Sequence, residues 1–164
     1  MPLLALPRSI GCLVCGRDNP HSLRVSLQVE PETGAIHTSF TPQPQHTGFV
    51  GVIHGGVLAM IADEAMVWAA IWSTRRSCLA GELTLRFKCP ATVGQVLVVT
   101  ALVTRNRSRV VETECEIAAK NGGVVATALG KYVPLGPDET TVFLRTLVAE
   151  PHTQSAIDQL SARL

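Results

Sequence analysis

Asp63 and Glu64 are two adjacent carboxylates in an otherwise uncharged stretch, residues 55–72. Ala, Leu and Met dominate that stretch and nothing after Gly56 breaks it, so the sequence predicts a helix. Because the helix is apolar on nearly every side, we expect other structure to surround it. A carboxylate on a buried helix is costly unless it is paired, hydrogen-bonded or protonated. Asp63 is therefore a candidate for acid–base or nucleophilic chemistry. The alternative is a buried carboxylate that holds a dimer together.

The segment His54-Gly55-Gly56 stands where this helix should begin. A helix N-terminus has unsatisfied N–H groups and a positive dipole end, which suits a carbonyl oxygen that becomes an oxyanion. The two glycines let a ligand approach the backbone closely. For His54, a helix-capping role is the alternative to a catalytic one.

Asp63 lies nine residues beyond His54. On an ideal helix that separation is a rise of about 13–14 Å and a rotation of roughly 180°. One reacting carbon cannot contact both points of the same helix. We therefore expect a composite site, in which the helix of a second subunit runs antiparallel alongside. Two such sites per dimer would be related by a two-fold axis.

Three arginines, Arg105, Arg107 and Arg109, alternate around a predicted hairpin bend and are candidates to bind phosphate groups. A solvated hairpin tip is the alternative interpretation. His46 lies in the Pro-rich loop before the helix. Only its spacing to His54 distinguishes it from an ordinary loop histidine.

The segment Cys12-Leu13-Val14-Cys15-Gly16 has the spacing of half a zinc site. His21 is a candidate third ligand, but the chain has no second cysteine pair. We therefore favour two thiols in a tight turn that ends in glycine, and predict neither a metal ion nor another cofactor.

Strand-like patterns flank the helix on both sides, and the short connections between them indicate antiparallel neighbours. The sequence predicts an α+β fold, with one apolar helix wrapped by an antiparallel sheet of five to six strands. We assign residues 1–21 to an irregular N-terminal segment, 22–134 to this domain, and 135–164 to a linker with a short helix near Ser155 to Leu164. The predicted strands are residues 23–30, 35–40, 79–88, 95–104, 109–119 and 124–133.

The composition narrows the class of protein. Apolar residues make up 46% of the 164 residues and charged residues 16%, which suggests surface buried in a homodimer or a dimer of dimers. A net charge of +1 does not suggest nucleic-acid binding, and the paired carboxylates argue against a membrane span. Five cysteines, and a start that lacks a basic leader, lead us to expect no signal peptide and a cytoplasmic location.

The order of elements and several motifs resemble the hotdog-fold acyl-CoA thioesterases, especially the phenylacetate-pathway thioesterase-like branch. The likeness covers roughly residues 12–134, and the segment from Glu82 to Pro90 resembles the strand after the helix in that family. The motifs are His46-x7-His54-Gly55-Gly56-x6-Asp63-Glu64 and Cys12-x2-Cys15-Gly16-x2-Asn19-Pro20.

The resemblance implies hydrolysis of an acyl-CoA thioester at a dimer interface. By this resemblance, Asp63 would be the carboxylate that acts as general base or nucleophile. Gly55 would supply the backbone N–H that binds the oxyanion. His54 would shape the helix entrance. His46 lies in the loop where relatives carry a polar side chain, and Gly56 would contact substrate. Relatives often have Ser or Thr where this chain has Ala80.

Two other functions fit parts of the pattern. One is a non-catalytic protein that binds acyl-CoA. The other is a hotdog hydroxyacyl dehydratase, whose histidine would match His46 but whose acidic partner would fall near Met60. No Gly-x-Ser-x-Gly elbow supports Ser/His/Asp catalysis. The sequence does not specify the acyl group.

Overall fold

The central element of the computed structural model, which describes residues 2–162, is the 20-residue helix α1 (Gly55–Thr74). It packs across one face of a large antiparallel sheet, and Ala62, Ala65 and Met66 on it are completely buried. By length and composition alone α1 could cross a membrane, yet 61% of its most apolar stretch is buried within the domain. Such burial is the behaviour expected of a core helix.

The strands of the described residues are β1 (Leu4–Ala5), β2 (Arg8–Ser9), β3 (Gln28–Val29), β4 (Ile36–Phe40), β5 (Thr47–Phe49), β6 (Val52–Ile53), β7 (Cys78–Phe87), β8 (Leu97–Arg107), β9 (Val110–Ala119), β10 (Val124–Pro134) and β11 (Leu147–Val148). Seven of them form the main sheet, in the order β1-β3-β4-β8-β9-β10-β7, and two short pairs, β2–β11 and β5–β6, lie outside it. Helices α2 (Pro137–Arg145) and α3 (Gln154–Ser161) follow the sheet. The predicted arrangement of one apolar helix on an antiparallel sheet is confirmed.

The sheet has one strand more than the six anticipated, because the two-residue β1 pairs with β3. Of the strand predicted at residues 23–30, only the two residues of β3 form a strand. Arg24 has a left-handed backbone (φ 55°), and the N–H groups of Leu23 and Val25 donate to the N-terminal segment instead of to a neighbouring strand. The alternation of apolar and polar residues in this segment correctly indicated which side chains are buried, since Val25 and Val29 are in the core.

Two helices occupy the C-terminal region. Where the sequence suggests a linker, α2 begins with Pro137 in its first turn and two acidic residues beside it, a common start signal. Helix α3 covers most of the predicted short helix but begins one residue earlier, at Gln154; positions 163 and 164 fall outside the described residues. Its Ala156 and Leu160 are buried, so the C-terminal region packs on the domain.

Strand β7 forms one edge of the sheet. It pairs with β10 on one side, and among residues 2–162 no strand pairs with its other side. The register puts Leu83 and Phe87 on the face that carries α1, yet they are 36% and 55% exposed. A ten-residue apolar edge strand is a surface that proteins normally cover.

Candidate functional site

Asp63 lies half-buried on α1, and its carboxylate accepts a hydrogen bond from the phenol of Tyr132. The Tyr132 Oη–Asp63 Oδ1 distance is 2.7 Å, and the same hydroxyl lies 3.3 Å from the Asp63 carbonyl oxygen. Burial and the Asp63 carboxylate raise the pKa of Tyr132 far above its usual range. The phenol therefore stays protonated and holds the carboxylate in one orientation.

Tyr132 is a residue of the candidate site that the sequence patterns did not indicate. It is the only tyrosine in the chain and lies on the inner face of β10, where it is completely buried. Gly130 provides room for the ring, because a Cβ added there would lie 2.6 Å from Cε2 of Tyr132. A tyrosine at an inward strand position needs a partner for its hydroxyl. That requirement is the sequence signal that could have identified it.

The register of the sheet places Asp63 close to the free edge. Tyr132 pairs with Ala80 of β7, next to an irregularity in the ladder between Lys131 and Tyr132. Ala80 and Tyr132 therefore share the face that carries α1. The carboxylate accordingly lies beside the edge strand, not under the centre of the sheet.

The start of α1 is capped by His54. Its Nδ1 accepts the N–H of Gly56 at 2.9 Å, and its carbonyl oxygen accepts the N–H of Val57 at 2.9 Å. A Cβ added to Gly56 would lie 2.9 Å from that Nδ1, so the cap needs glycine there. Within residues 2–162 the N–H of Gly55 donates to no protein acceptor. The structure gives His54 the capping role, and its catalytic role stays a prediction.

A cavity of about 450 Å³ opens at this helix start, within the size range of small-molecule sites. Gly55 lies in its wall opposite the ring of Phe87, and a Cβ added to Gly55 would lie 3.0 Å from Cζ of that ring. The rest of the lining is largely apolar, with one cation, Lys88. An apolar groove with a free backbone N–H in its wall can hold a carbonyl group.

Asp63 does not line this groove within its own protomer. It follows Gly55 by eight residues, a rise of about 12 Å along α1. One chain therefore brings together His54, Gly55 and Gly56, but leaves the candidate carboxylate elsewhere on the helix.

His46 ends a short 3-10 helix, Pro44–His46, in the loop before α1. Its Nδ1 accepts the N–H of Gln43 at 3.0 Å, and its ring lies 5.3 Å from that of Phe40. Burial lowers the pKa of His46. Its carbonyl oxygen accepts the N–H of His54, so the residue fixes the loop to the helix start. Its imidazole is not part of the groove lining among the described residues.

The three arginines lie at the β8–β9 hairpin and are exposed. Asn106, between two of them, donates to Ser73 Oγ at 2.9 Å, which attaches the hairpin to the C-terminal end of α1. Ser73 is 18 residues beyond Gly55, a rise of about 27 Å. The hairpin is therefore at the opposite end of α1 from the groove of the same protomer.

Glu64 points away from Asp63, towards the N-terminal segment (residues 2–21). Its carboxylate accepts hydrogen bonds from Trp68 Nε1 at 3.2 Å and from Cys12 Sγ at 3.6 Å. Burial raises the pKa of Glu64 to about 7, and the hydrogen bond from Cys15 lowers the pKa of Cys12 to about 5. Cys12, Cys15 and Glu64 form a cluster that does not include His21, the third ligand considered from the sequence.

Residues 50–126 match the model of the Thioesterase superfamily. The Caenorhabditis elegans protein F42H10.6 is 32% identical over 105 residues, 63% of this chain and 62% of that protein. Acyl-coenzyme A thioesterase 13 of Homo sapiens is 23% identical over 96 residues, 58% of this chain and 69% of that one. The chain thus matches less than two thirds of the length of the first of these relatives.

Solved structures with the same architecture include two that cover most of the domain. The Escherichia coli PaaI protein, from the phenylacetic acid degradation operon, has a TM-score of 0.63 and 25% identity, covering 70% of this chain and 81% of that one. The thioesterase superfamily protein RHA08564 has a TM-score of 0.68 and 23% identity, covering 74% and 59%. The family match and the shared architecture agree: residues 50–126 are similar to the thioesterase superfamily, and the chain has the hotdog fold that the resemblance predicted.

Proposed function

We propose that this protein hydrolyses acyl-CoA thioesters, with Asp63 as general base or nucleophile and the Gly55 N–H as oxyanion donor. The observation that carries the proposal is that one helix holds both a carboxylate fixed by Tyr132 and a backbone N–H with no acceptor among the described residues. The similarity to human acyl-coenzyme A thioesterase 13 supports the substrate class.

The site is completed by a second copy of the chain. Along β7, the Ala80 end lies near Tyr132 and Asp63, and the Phe87 end lies against Gly55. A two-fold axis near Leu83 and Thr84 would bring the Ala80 end of one edge strand to the Phe87 end of the other. The two helices would then run antiparallel, with Asp63 beside the partner subunit's Gly55. The exposed apolar residues of the β7 edge support this pairing.

The chemistry follows from these positions. In the general-base route, Asp63 removes a proton from water, and the resulting hydroxide bonds to the thioester carbonyl carbon. The carbonyl oxygen becomes an oxyanion, which the partner's Gly55 N–H and helix N-terminus stabilise. Collapse of the tetrahedral intermediate breaks the C–S bond and gives the free acid and the CoA thiolate, which takes up a proton. In the nucleophilic route, Asp63 displaces the thiolate to form an anhydride, which water then hydrolyses.

Tyr132 compensates for Ala80 in this scheme. By the resemblance, relatives often carry a hydroxyl at the position of Ala80; here Tyr132, which pairs with Ala80 from the neighbouring strand, supplies a hydroxyl to Asp63. We assign Tyr132 a positioning role, because it acts through Asp63.

Removal of the Tyr132 hydroxyl tests that role. Tyr132→Phe should lower kcat by about 10- to 100-fold with little change in KM, because a hydrogen bond to a charged group contributes about 1.5–3 kcal/mol. Steady-state kinetics resolve the two parameters, and circular dichroism checks the fold. A folded variant with unchanged kcat would show that Asp63 does not need this donor.

The arginine hairpin is the proposed contact for the phosphates of CoA. In the antiparallel arrangement, the C-terminal end of α1, where the hairpin is attached, extends past the partner's helix start. Replacing Arg105, Arg107 and Arg109 together with Gln should raise the apparent KM for acyl-CoA about tenfold or more. An acyl-pantetheine thioester, which lacks the nucleotide, is the matched control and should show no such increase. An unchanged KM for acyl-CoA would remove the hairpin from the substrate site.

The experiment that tests the proposed function is a thiol-release assay on aromatic, short-chain and long-chain acyl-CoAs. We expect turnover of at least one class by the wild-type dimer. Tight acyl-CoA binding with no release of thiol across the panel would contradict hydrolysis and support the binding-protein alternative.

A further inference from the structure

We propose that Cys12, Cys15 and Glu64 bind a zinc ion that fastens the N-terminal segment to helix α1. The sulfur and oxygen donor atoms of the three residues all lie within 4.8 Å of one another. Cys12 Sγ and Glu64 Oε2 are 3.6 Å apart. In a tetrahedral zinc site, bond lengths of about 2.3 Å to sulfur and about 2.0 Å to oxygen put the two ligand atoms about 3.5 Å apart. This pair of donors is therefore already at ligand spacing.

The cysteine turn is built to present a thiolate. The backbone N–H groups of Val14 and Cys15 donate to Cys12 Sγ at 3.3 and 3.4 Å, and Gly16 N–H donates to the Cys12 carbonyl oxygen at 2.9 Å. Such N–H donors are the outer-shell contacts that orient and stabilise a metal-bound ligand. A Cβ at position 16 would collide with the Cys12 carbonyl oxygen, so the turn requires glycine.

The third donor comes from the opposite side of the cluster, 52 residues along the chain. Trp68 Nε1 donates to Glu64 Oε1 and leaves Oε2 turned towards Cys12. The indole thus orients the carboxylate as an outer-shell partner would. A sequence-local search for a metal site could not find this ligand, because only the packing of the N-terminal segment on α1 brings it to the cysteines.

Charge and donor chemistry indicate the ion. Zinc binding would displace the protons of these groups, and the resulting two thiolates and carboxylate would offset the charge of a divalent cation in a partly buried cluster. Sulfur-rich ligand sets select zinc, whereas magnesium and calcium prefer oxygen ligands. Three protein ligands leave the fourth tetrahedral position to a water molecule.

The proposed site is separate from the proposed thioesterase chemistry, since Glu64 points away from Asp63. Its role is structural: it connects residues 12–15 to the middle of α1, one residue beyond Asp63. Zinc should therefore raise the thermal stability of the protein, because a ligand that binds only the folded state stabilises that state.

The test uses the full chain, purified with a phosphine reductant, stripped by a chelator and reloaded with zinc. Elemental analysis should find about one zinc per wild-type chain, and cobalt substitution should give thiolate-to-cobalt charge-transfer absorption. Cys12→Ser and Cys15→Ser should lose the ion. Glu64→Gln, which keeps the shape of the side chain, should weaken zinc binding by at least about tenfold. Cys89→Ser removes an exposed thiol outside the cluster and should bind zinc as the wild type does.

Thermal unfolding gives a second readout. The midpoint of the wild-type protein and of Cys89→Ser should rise on addition of zinc, and that of Glu64→Gln should rise much less. The proposal is overturned if reduced wild-type protein retains no zinc after reloading. It is also overturned if Cys12→Ser, Glu64→Gln and Cys89→Ser all bind the ion equally well.

Discussion

Asp63→Asn should lower kcat for thioester hydrolysis by a factor on the order of 10²–10⁴ while the protein stays folded and keeps the oligomeric state of the wild type. Asn has the shape of Asp, and its amide oxygen can still accept the Tyr132 hydroxyl. It cannot take a proton from water or act as a carboxylate nucleophile. A thiol-release assay measures the loss, and size-exclusion chromatography checks the oligomer.

The control is Asp158→Asn, which changes an exposed carboxylate on α3 and should leave hydrolysis unaffected. A folded Asp63→Asn protein with wild-type turnover would reject Asp63 as base and as nucleophile. The catalytic proposal depends on this result more than on any other.

Gly55→Pro is the second change with a large expected effect, because it deletes the proposed oxyanion donor with little disturbance of the helix. Gly55 is the first residue of α1, where proline is well tolerated. The preceding His54 has φ −61° and ψ 130°, the extended conformation that a following proline favours. Loss of one oxyanion donor should lower kcat by about 10²–10³.

Gly55→Ala is the matched variant. It keeps the N–H but introduces the same Cβ contact with Phe87. We expect a much smaller loss in the alanine variant than in the proline variant. Equal losses in the two would assign the effect to the collision with Phe87 and remove the N–H from the mechanism.

Mixing the two inactive variants tests whether the site is shared. In a heterodimer of Asp63→Asn and Gly55→Pro, one site carries both changes and the other carries neither. A random mixture of re-formed dimers should therefore recover about a quarter of wild-type activity. No recovery in verified heterodimers would place Asp63 and Gly55 in the same protomer's site and contradict the composite arrangement.

The zinc proposal and these catalytic predictions can fail independently. Zinc content and thermal unfolding report on Cys12 and Glu64 whether or not thiol is released. Conversely, inactive Asp63→Asn protein should retain its zinc. Measuring both properties on the same preparations separates a structural metal from the hydrolytic chemistry.

The sequence alone determined the features that depend on local composition and spacing. The apolar stretch of residues 55–72 predicted the core helix, which extends from Gly55 to Thr74, because helix-forming residues there are uninterrupted. His54-Gly55-Gly56 indicated a helix start with accessible backbone N–H groups. The strands after the helix were predicted from the alternation of apolar and polar residues and from the short turns between them. The motif around Asp63 indicated the resemblance to the hotdog thioesterases.

Only the tertiary structure decided which distant side chains meet. Tyr132 reaches Asp63 across 69 residues, and Cys12 meets Glu64 across 52. No periodic sequence pattern predicts either contact, because each depends on how a strand or a loop packs on α1. The strand predicted at residues 23–30 did not form over its full length for the same reason, since the backbone hydrogen-bond partners of its first residues lie in the N-terminal segment. Local patterns record burial and helix or strand propensity, whereas the pairing of polar groups is set by the packing of elements far apart in the chain.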